Sequence, residues 1–234
     1  GVFTMLKVGI YIFGIEFLAE SGASIWLMWL AAFSILAASV IAMTKDNLKA
    51  RLAYSTISQL SYITLGVALA SSMGILGGGL HVVMHAMGKI TLFMCAGSIY
   101  VATHRTEISQ MTGLGRRMPI TFIAFLIGAL SIIGLPPLGG SWSKWLLMVG
   151  AVDAEHLVIL GVLLVSSLLN VAYLLPLVAK GFFLSNDTDT ELAQSAEASP
   201  LVWGPPAATA FGCVVLFFYA GHIQDFLMPI VAIN

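Results

Sequence analysis

Seven stretches of this 234-residue chain are apolar for long enough to cross a bilayer: 2–18, 24–44, 50–70, 74–103, 119–151, 156–184 and 206–230. A spanning helix needs about 20 mainly apolar residues. The expectation is an all-α, polytopic membrane protein of about seven transmembrane helices. Composition agrees: 59% of the residues are hydrophobic and only 9% charged, where soluble domains carry roughly 25% charged residues. A net charge of −1 gives no footing for nucleic acid. Cys95 and Cys213 both lie in apolar runs, with neither a disulfide framework nor metal-ligand spacing, and read as buried thiols. The opening run GVFTMLKVGIYIFGIEFLA has no basic leader and no small-residue cleavage site, so it is a poor signal peptide. It reads as a helix entered partway along, as in a fragment, a processed product or an incomplete subunit.

The fifth stretch contains GLPPLGG at 134–140. Pro136 and Pro137 each remove a backbone donor and disfavour helix at the residue before. One discontinuous helix follows: 119–134, an unwound stretch, then 141–151. Broken backbone at membrane depth survives only where protein or a watery cavity covers it. In the fourth stretch, Gly77, Gly78 and Gly79 are expected to bend or start the helix. The polar SNDTDTELAQSAEASP, 185–200, reads as a solvated loop between the last two spans.

Charges sort by loop. Lys45, Lys49 and Arg51 lie in one loop, Arg105, Arg116 and Arg117 in another, and Lys180 ends the sixth span. With seven spans these fall on one face, while the opposite loops hold Glu20, Asp153 and Glu155. The positive-inside rule makes the basic face cytoplasmic and puts the C-terminus outside. Lys7, Lys89 and Lys144 remain within spans.

A charge at the bilayer centre costs about 2.5–3.5 kcal/mol on insertion scales, so three unpaired lysines would cost on the order of 7–10 kcal/mol. Chains keep such groups where they line a wet, paired interior. In HVVMHAMGKITLFMCAGSIY, residues 81–100, His81, His85 and Lys89 recur at i, i+4 and i+8 and share one helix face about 12 Å long. Imidazole titrates near neutral pH, and a row of such groups joined by water can pass a proton without a stable bare charge. The bland reading is two packing histidines bonded to neighbouring backbone. Lys144 follows the break near a helix start, whose partial positive charge disfavours an ammonium; the alternative is snorkelling to the interface. Lys7 reads equally as a flanking charge. The third span is polar, with Tyr54, Ser58 and Tyr62 as water-lining candidates, although hydroxyl residues also glue helices together in lipid.

The segments DNLKARLAYSTISQLSYITLGVAL, HVVMHAMGKITLFMCAGSIY and GLGRRMPITFIAFLIGALSIIGLPPLGGSWSKWLLM, in this order, resemble the antiporter-like proton-pumping subunits of respiratory complex I, membrane-bound hydrogenases and Mrp-type cation/proton antiporters. TMLKVGIYIF fits as well, and SSLLNVAYLLPLVAKGFF leans toward the D-type Mrp subunit. The family has fourteen spans in two inverted five-helix repeats, and this chain resembles its C-terminal half. The resemblance implies the last helix of a first repeat at 1–18, a second repeat at 19–184, a cytoplasmic loop at 185–203 and a final helix at 204–234. It implies that Lys7 links two half-channels, that His81, His85 and Lys89 form the polar stripe, and that Lys144 is the terminal titrating group of the broken helix. It implies other membrane subunits as partners, with the first-repeat half in the same or a separate chain, in a bacterial or archaeal inner membrane. The first-repeat glutamate and lysine have no counterpart here, and the chain stops short of the long lateral helix of the largest members.

The expected function is a proton-translocating subunit of a multisubunit pump, drawing energy from redox chemistry or a cation gradient. The chain itself carries no nucleotide loop, cluster ligands or flavin motif, so no cofactor is expected in it. Two other classes stay open: a cation or solute transporter built on the broken helix, and a non-conducting membrane anchor of a redox or carbon-uptake complex.

Overall fold

A computed structural model describes residues 1–20, 22–184 and 197–232. Among these, helices account for nearly all regular structure, with one isolated bridge between Asn47 and Glu107. The helices are α1 (Val2–Lys7), α2 (Ile15–Glu20), α3 (Ala23–Thr44), α4 (Leu48–Ala68), α5 (Ser72–Thr103), α6 (Leu114–Arg117), α7 (Pro119–Ile133), α8 (Gly140–Asp153), α9 (Leu157–Phe183) and α10 (Pro200–Ala232). Helices α3, α5, α9 and α10 are long and apolar enough to cross a membrane unaided. Helix α4, at 21 residues, is one residue shorter than α3 and carries a polar stripe that lowers its hydropathy.

Three boundaries differ from the sequence expectation. The first span is not one helix: α1 passes into a π-helical turn, Val8–Phe13, which ends at Gly14 with φ 81° before α2 begins. The triple glycine does not start α5. Ser71 starts it, its hydroxyl accepting from the Gly74 N–H at 3.1 Å, and the helix runs unbroken through Gly77–Gly79. Gly77 instead allows close approach, since a Cβ there would lie 2.7 Å from the Leu147 backbone nitrogen of α8. The last helix begins at Pro200, before the expected start, so the expected loop 185–203 is too long at its C-terminal end. Proline is pre-organised for the first helical position, and the Ser199 carbonyl accepts from Val202 and Trp203 there. The rest of that loop, 185–196, lies outside the described residues.

Helix α5 is the hub, packing against α4, α7, α8 and α10, while α3 packs on both α4 and α9. Met28, Ala31, Ala32 and Ile35 of α3 share one core cluster with Tyr62 and Leu65 of α4 and Ile159 and Leu163 of α9. Large apolar side chains such as Trp26, Phe33, Leu168 and Phe211 are exposed on the outside. That is the pattern of a body whose solvent is lipid rather than water.

The basic loops meet at one end of the bundle, as their charge pattern predicts. Leu48 N–H donates to Thr106 O at 2.9 Å, Ile108 N–H to Asp46 O at 2.9 Å and Gly113 N–H to Lys180 O at 3.1 Å. Asn47 Nδ2 donates to Glu107 Oε1 at 3.0 Å. Lys45 and Lys49 lie over the Tyr54 and Tyr100 rings.

Candidate functional site

Three helices present one polar side chain each at three successive levels, because residues spaced by three or four share a helix face. On α5 these are Lys89, His85 and His81; on α4, Ser55, Gln59 and Tyr62; on α9, Tyr173, Asn170 and Ser166. All nine are buried. Helix α4 runs opposite to α5 and α9, so Lys89, Ser55 and Tyr173 form the level nearest the basic end, and His81, Tyr62 and Ser166 the level farthest from it.

At the first level, Lys89 Nζ donates to Ser55 Oγ at 2.6 Å and to the Leu52 carbonyl at 3.2 Å. Ser55 and the Tyr173 hydroxyl are 2.8 Å apart, and Tyr173 also donates to Asn170 Oδ1 at the next level. Gln59 Nε2 donates to the same Asn170 oxygen at 3.4 Å. His85 stacks on His81 with ring centroids 5.8 Å apart, and His81 stacks on Tyr62 at 5.4 Å.

Lys144 enters beside the far level. Gly134 ends α7 with φ 93°, a conformation that glycine adopts without steric cost, and a Cβ there would meet the Lys144 stem at 2.8 Å. Lys144 Nζ donates to the Ile133 carbonyl at 3.1 Å and to Ser167 Oγ at 3.2 Å, and lies 5.0 Å from the Tyr62 ring centroid. One residue earlier, Ser143 Oγ sits 2.9 Å from His81 Nδ1 and 3.1 Å from the Gly140 carbonyl. A hydroxyl has one hydrogen. With that hydrogen on Gly140 O, His81 donates from Nδ1–H and leaves Nε2 as a bare acceptor.

The site thus joins His81, His85, Lys89, Lys144 and Tyr62. The other sequence candidates lie elsewhere. Tyr54 is half-buried under Lys45 at the loop end. Ser58 bonds Ser39 Oγ at 2.9 Å and Ile35 O at 3.0 Å, fixing α4 to α3. Lys7 is exposed on the outer face of α1, over the Phe3 ring, beside a cavity of about 310 Å³ shared with α5. Pro136 and Pro137 form the break as expected, between α7 and α8. Ser55, Ser166, Ser167, Asn170 and Tyr173 were not singled out from the sequence. Their signal is the i, i+4, i+7 spacing of Ser166, Asn170 and Tyr173 in SSLLNVAY.

Lys144 also borders a cavity of about 820 Å³ between the break, α9 and α10, edged by Trp142, Trp145 and Phe217. No carboxylate faces either buried lysine among the described residues; their partners are carbonyl and hydroxyl oxygens. No group of His, Cys, Asp and Glu among those residues has the arrangement of a metal site.

Residues 2–170 match the family described as NADH:quinone oxidoreductase/Mrp antiporter, TM. The chain belongs to that family. It is 42% identical over 147 residues to NADH-quinone oxidoreductase subunit N of Desulforudis audaxviator, covering 63% of this chain and 29% of that relative. Its fold superposes on a chain of the Mrp complex from Dietzia sp. DQ12-45-1b with a TM-score of 0.86 at 20% identity, over 99% of this chain and 50% of the other. A chain of respiratory complex I from Thermus thermophilus gives 0.83 at 24% identity, over 97% and 47%. This family member is therefore an all-α integral membrane protein of the antiporter-like fold, spanning about half of those solved chains and less than a third of that relative.

Proposed function

We propose that this chain moves protons between the middle of the membrane and its outer face as part of an antiporter-like subunit. The observation that carries the reading is the buried column in which, among the described residues, the hydrogen-bond partners of Lys89 and Lys144 are neutral oxygens. A buried amine with a counter-ion is held charged, and one without any partner is too costly to keep. An amine among carbonyls and hydroxyls can take and release a proton, with imidazole, phenol and hydroxyl neighbours to pass it on.

In this reading protons travel by way of Lys7, His85 and Lys89 to Lys144, and leave near the helix break. Lys7, on the outer face of α1, is the link to a first half-channel supplied by a first-repeat half in this or another chain. Residues 1–18 are the last helix of that first repeat, 19–184 the second repeat, and α10 the final helix. The basic end faces the cytoplasm and the C-terminus the outside, by the charge rule. The chain works within a multisubunit complex of a bacterial or archaeal inner membrane, whose other subunits supply the energy through redox chemistry or a Na⁺ gradient.

The test is Lys144→Ala in membrane vesicles carrying the complex, with acid accumulation followed by quenching of a permeant amine dye. Pumping is expected to vanish while the subunit still co-purifies with its partners. Full pumping with normal assembly removes the reading, and loss of assembly with residual pumping in the remaining complex turns it toward an anchor.

A further inference from the structure

The cavity of about 820 Å³ beside the helix break falls within the range of small-molecule sites, about 300–1,000 Å³. Its walls are apolar, formed by Leu135, Trp142, Trp145, Leu164, Leu168 and Phe217. All of these but Phe217 are exposed on the surface that meets lipid. The mouth therefore opens sideways into the bilayer.

Behind these walls lies one amine. Lys144 is buried, and its Nζ donates to Ile133 O and Ser167 Oγ. Those two bonds use both hydrogens of a neutral amine and leave its lone pair unused. In the ammonium form a third hydrogen is left over, with no oxygen or nitrogen acceptor among the described residues. No carboxylate lines the cavity among those residues. The Ser141 hydroxyl is turned to the Leu138 carbonyl at 2.7 Å. The two indoles can donate and cannot accept. The inner end thus suits an acceptor that brings its own negative charge, and the mouth suits an apolar body.

We propose that this cavity binds a membrane-soluble organic acid, a long-chain carboxylic acid of the fatty-acid class, with its head on Lys144 and its chain against Trp142, Trp145 and Leu168. The acid enters from the lipid uncharged. Its O–H bond breaks, the electron pair stays on the carboxylate oxygen, and the proton joins the lone pair of Lys144 Nζ. A neutral acid and a neutral amine become an ion pair, and no net charge has crossed the lipid. An acid arriving as the bare anion would carry the cost of a charge at membrane depth. An uncharged amide or ester would bring no proton and no compensating charge. An ammonium paired with a carboxylate is held charged, so an occupied cavity stops Lys144 from cycling its proton. That consequence rests on the proton-moving reading; the binding itself does not.

The test uses the complex in its native vesicles. The probe is palmitic acid carrying a photoreactive diazirine near its carboxyl end, and the control is its primary amide, which has the same body and no acid. After illumination, labelled peptides of this chain are mapped by mass spectrometry. Labelling of the exposed α3 face around Trp26 and Phe33 gives the level of plain lipid contact. Relative to that level, the acid is expected to label the stretches that line the cavity, 133–148 and 164–171, more than the amide by roughly tenfold, the low end of what a hydrogen bond to a charged group contributes. Lys144→Met keeps an unbranched stem and drops the charge, and is expected to bring the acid down to the amide. Equal labelling by acid and amide in the parent overturns the inference and leaves a groove filled by lipid chains. Labelling by neither above the α3 level also overturns it, and means that a partner subunit covers the mouth. If Lys144→Met does not assemble, the comparison of acid with amide in the parent decides alone. Acid-specific labelling beside a Lys144→Ala variant that still pumps keeps the site and removes only its link to proton movement.

Discussion

Lys144 Nζ donates to the carbonyl of Ile133, the last residue of α7, at 3.1 Å. The amine of the second half-helix thereby closes the open end of the first. Helical Cα–Cβ bonds tilt toward the N-terminus, so a side chain in the second turn of α8 reaches back to the break. The sequence expectation set Lys144 against the positive end of α8. Its tip lies instead at the partially negative end of α7, where orphaned carbonyls favour a donor.

Gly134→Ala is expected to disturb that closure. The residue holds φ 93°, and a left-handed alanine costs about 1–2 kcal/mol before its Cβ meets the Lys144 stem. Thermal melting of the purified complex should fall and pumping with it. An unchanged pump would mean that the lysine tip tolerates displacement.

Two serines one turn apart on α4 should behave differently. Ser55→Ala strips Lys89 and Tyr173 of a shared partner, costing about 1–3 kcal/mol for buried groups left unmade, and is expected to slow pumping. Ser58→Ala removes a bond to α3 worth about 0.5–1.5 kcal/mol and should leave the pumping rate per assembled complex intact. Paired melting and dye-quenching measurements separate the two.

Glu197 caps α7 from across the chain. Its carboxylate accepts from the Ile120 N–H at 2.9 Å and from the Thr121 hydroxyl at 2.5 Å, placing negative charge at a helix start. Glu197→Ala should lower stability by about 0.5–2 kcal/mol, as losses of helix caps do. Pumping by the folded fraction should not change, because the cap is far from the column along α7.

Gly77→Val tests the seam between α5 and α8. The new side chain would drive into the Leu147 backbone, an overpacking that costs about 1–3 kcal/mol, and would push Ser143 away from His81. Lower yield of assembled complex and reduced pumping are expected; wild-type yield would show that α8 can slide.

Much of this architecture was legible because lipid enforces it. Apolar runs, basic loops and the Pro136–Pro137 break each follow from a local rule, and the spacing of His81, His85 and Lys89 put them on one face. Partners across helices were less visible. Ser58 and Tyr54 looked as suitable as Tyr62, yet one faces α3 and the other the loop end, a choice set by how α4 is rotated in the bundle. Asn170 and Tyr173 sit in a run that reads as plain apolar helix, and their significance depends on Ser55 and Gln59, more than 100 residues away in sequence. Lys7 is the reverse case: its motif is plain, while its place on the outer face of α1 leaves it apart from the column.

Helices α4 and α9 are both gripped by α3, but they meet each other through side chains, at Ser55–Tyr173 and Gln59–Asn170. A third contact, from Arg51 Nη1 to the Tyr173 carbonyl at 3.0 Å, joins them at the basic end, and each of the three bonds involves at least one side chain. A tilt of α9 on its α3 bearing would part those contacts without unwinding a single turn of either helix.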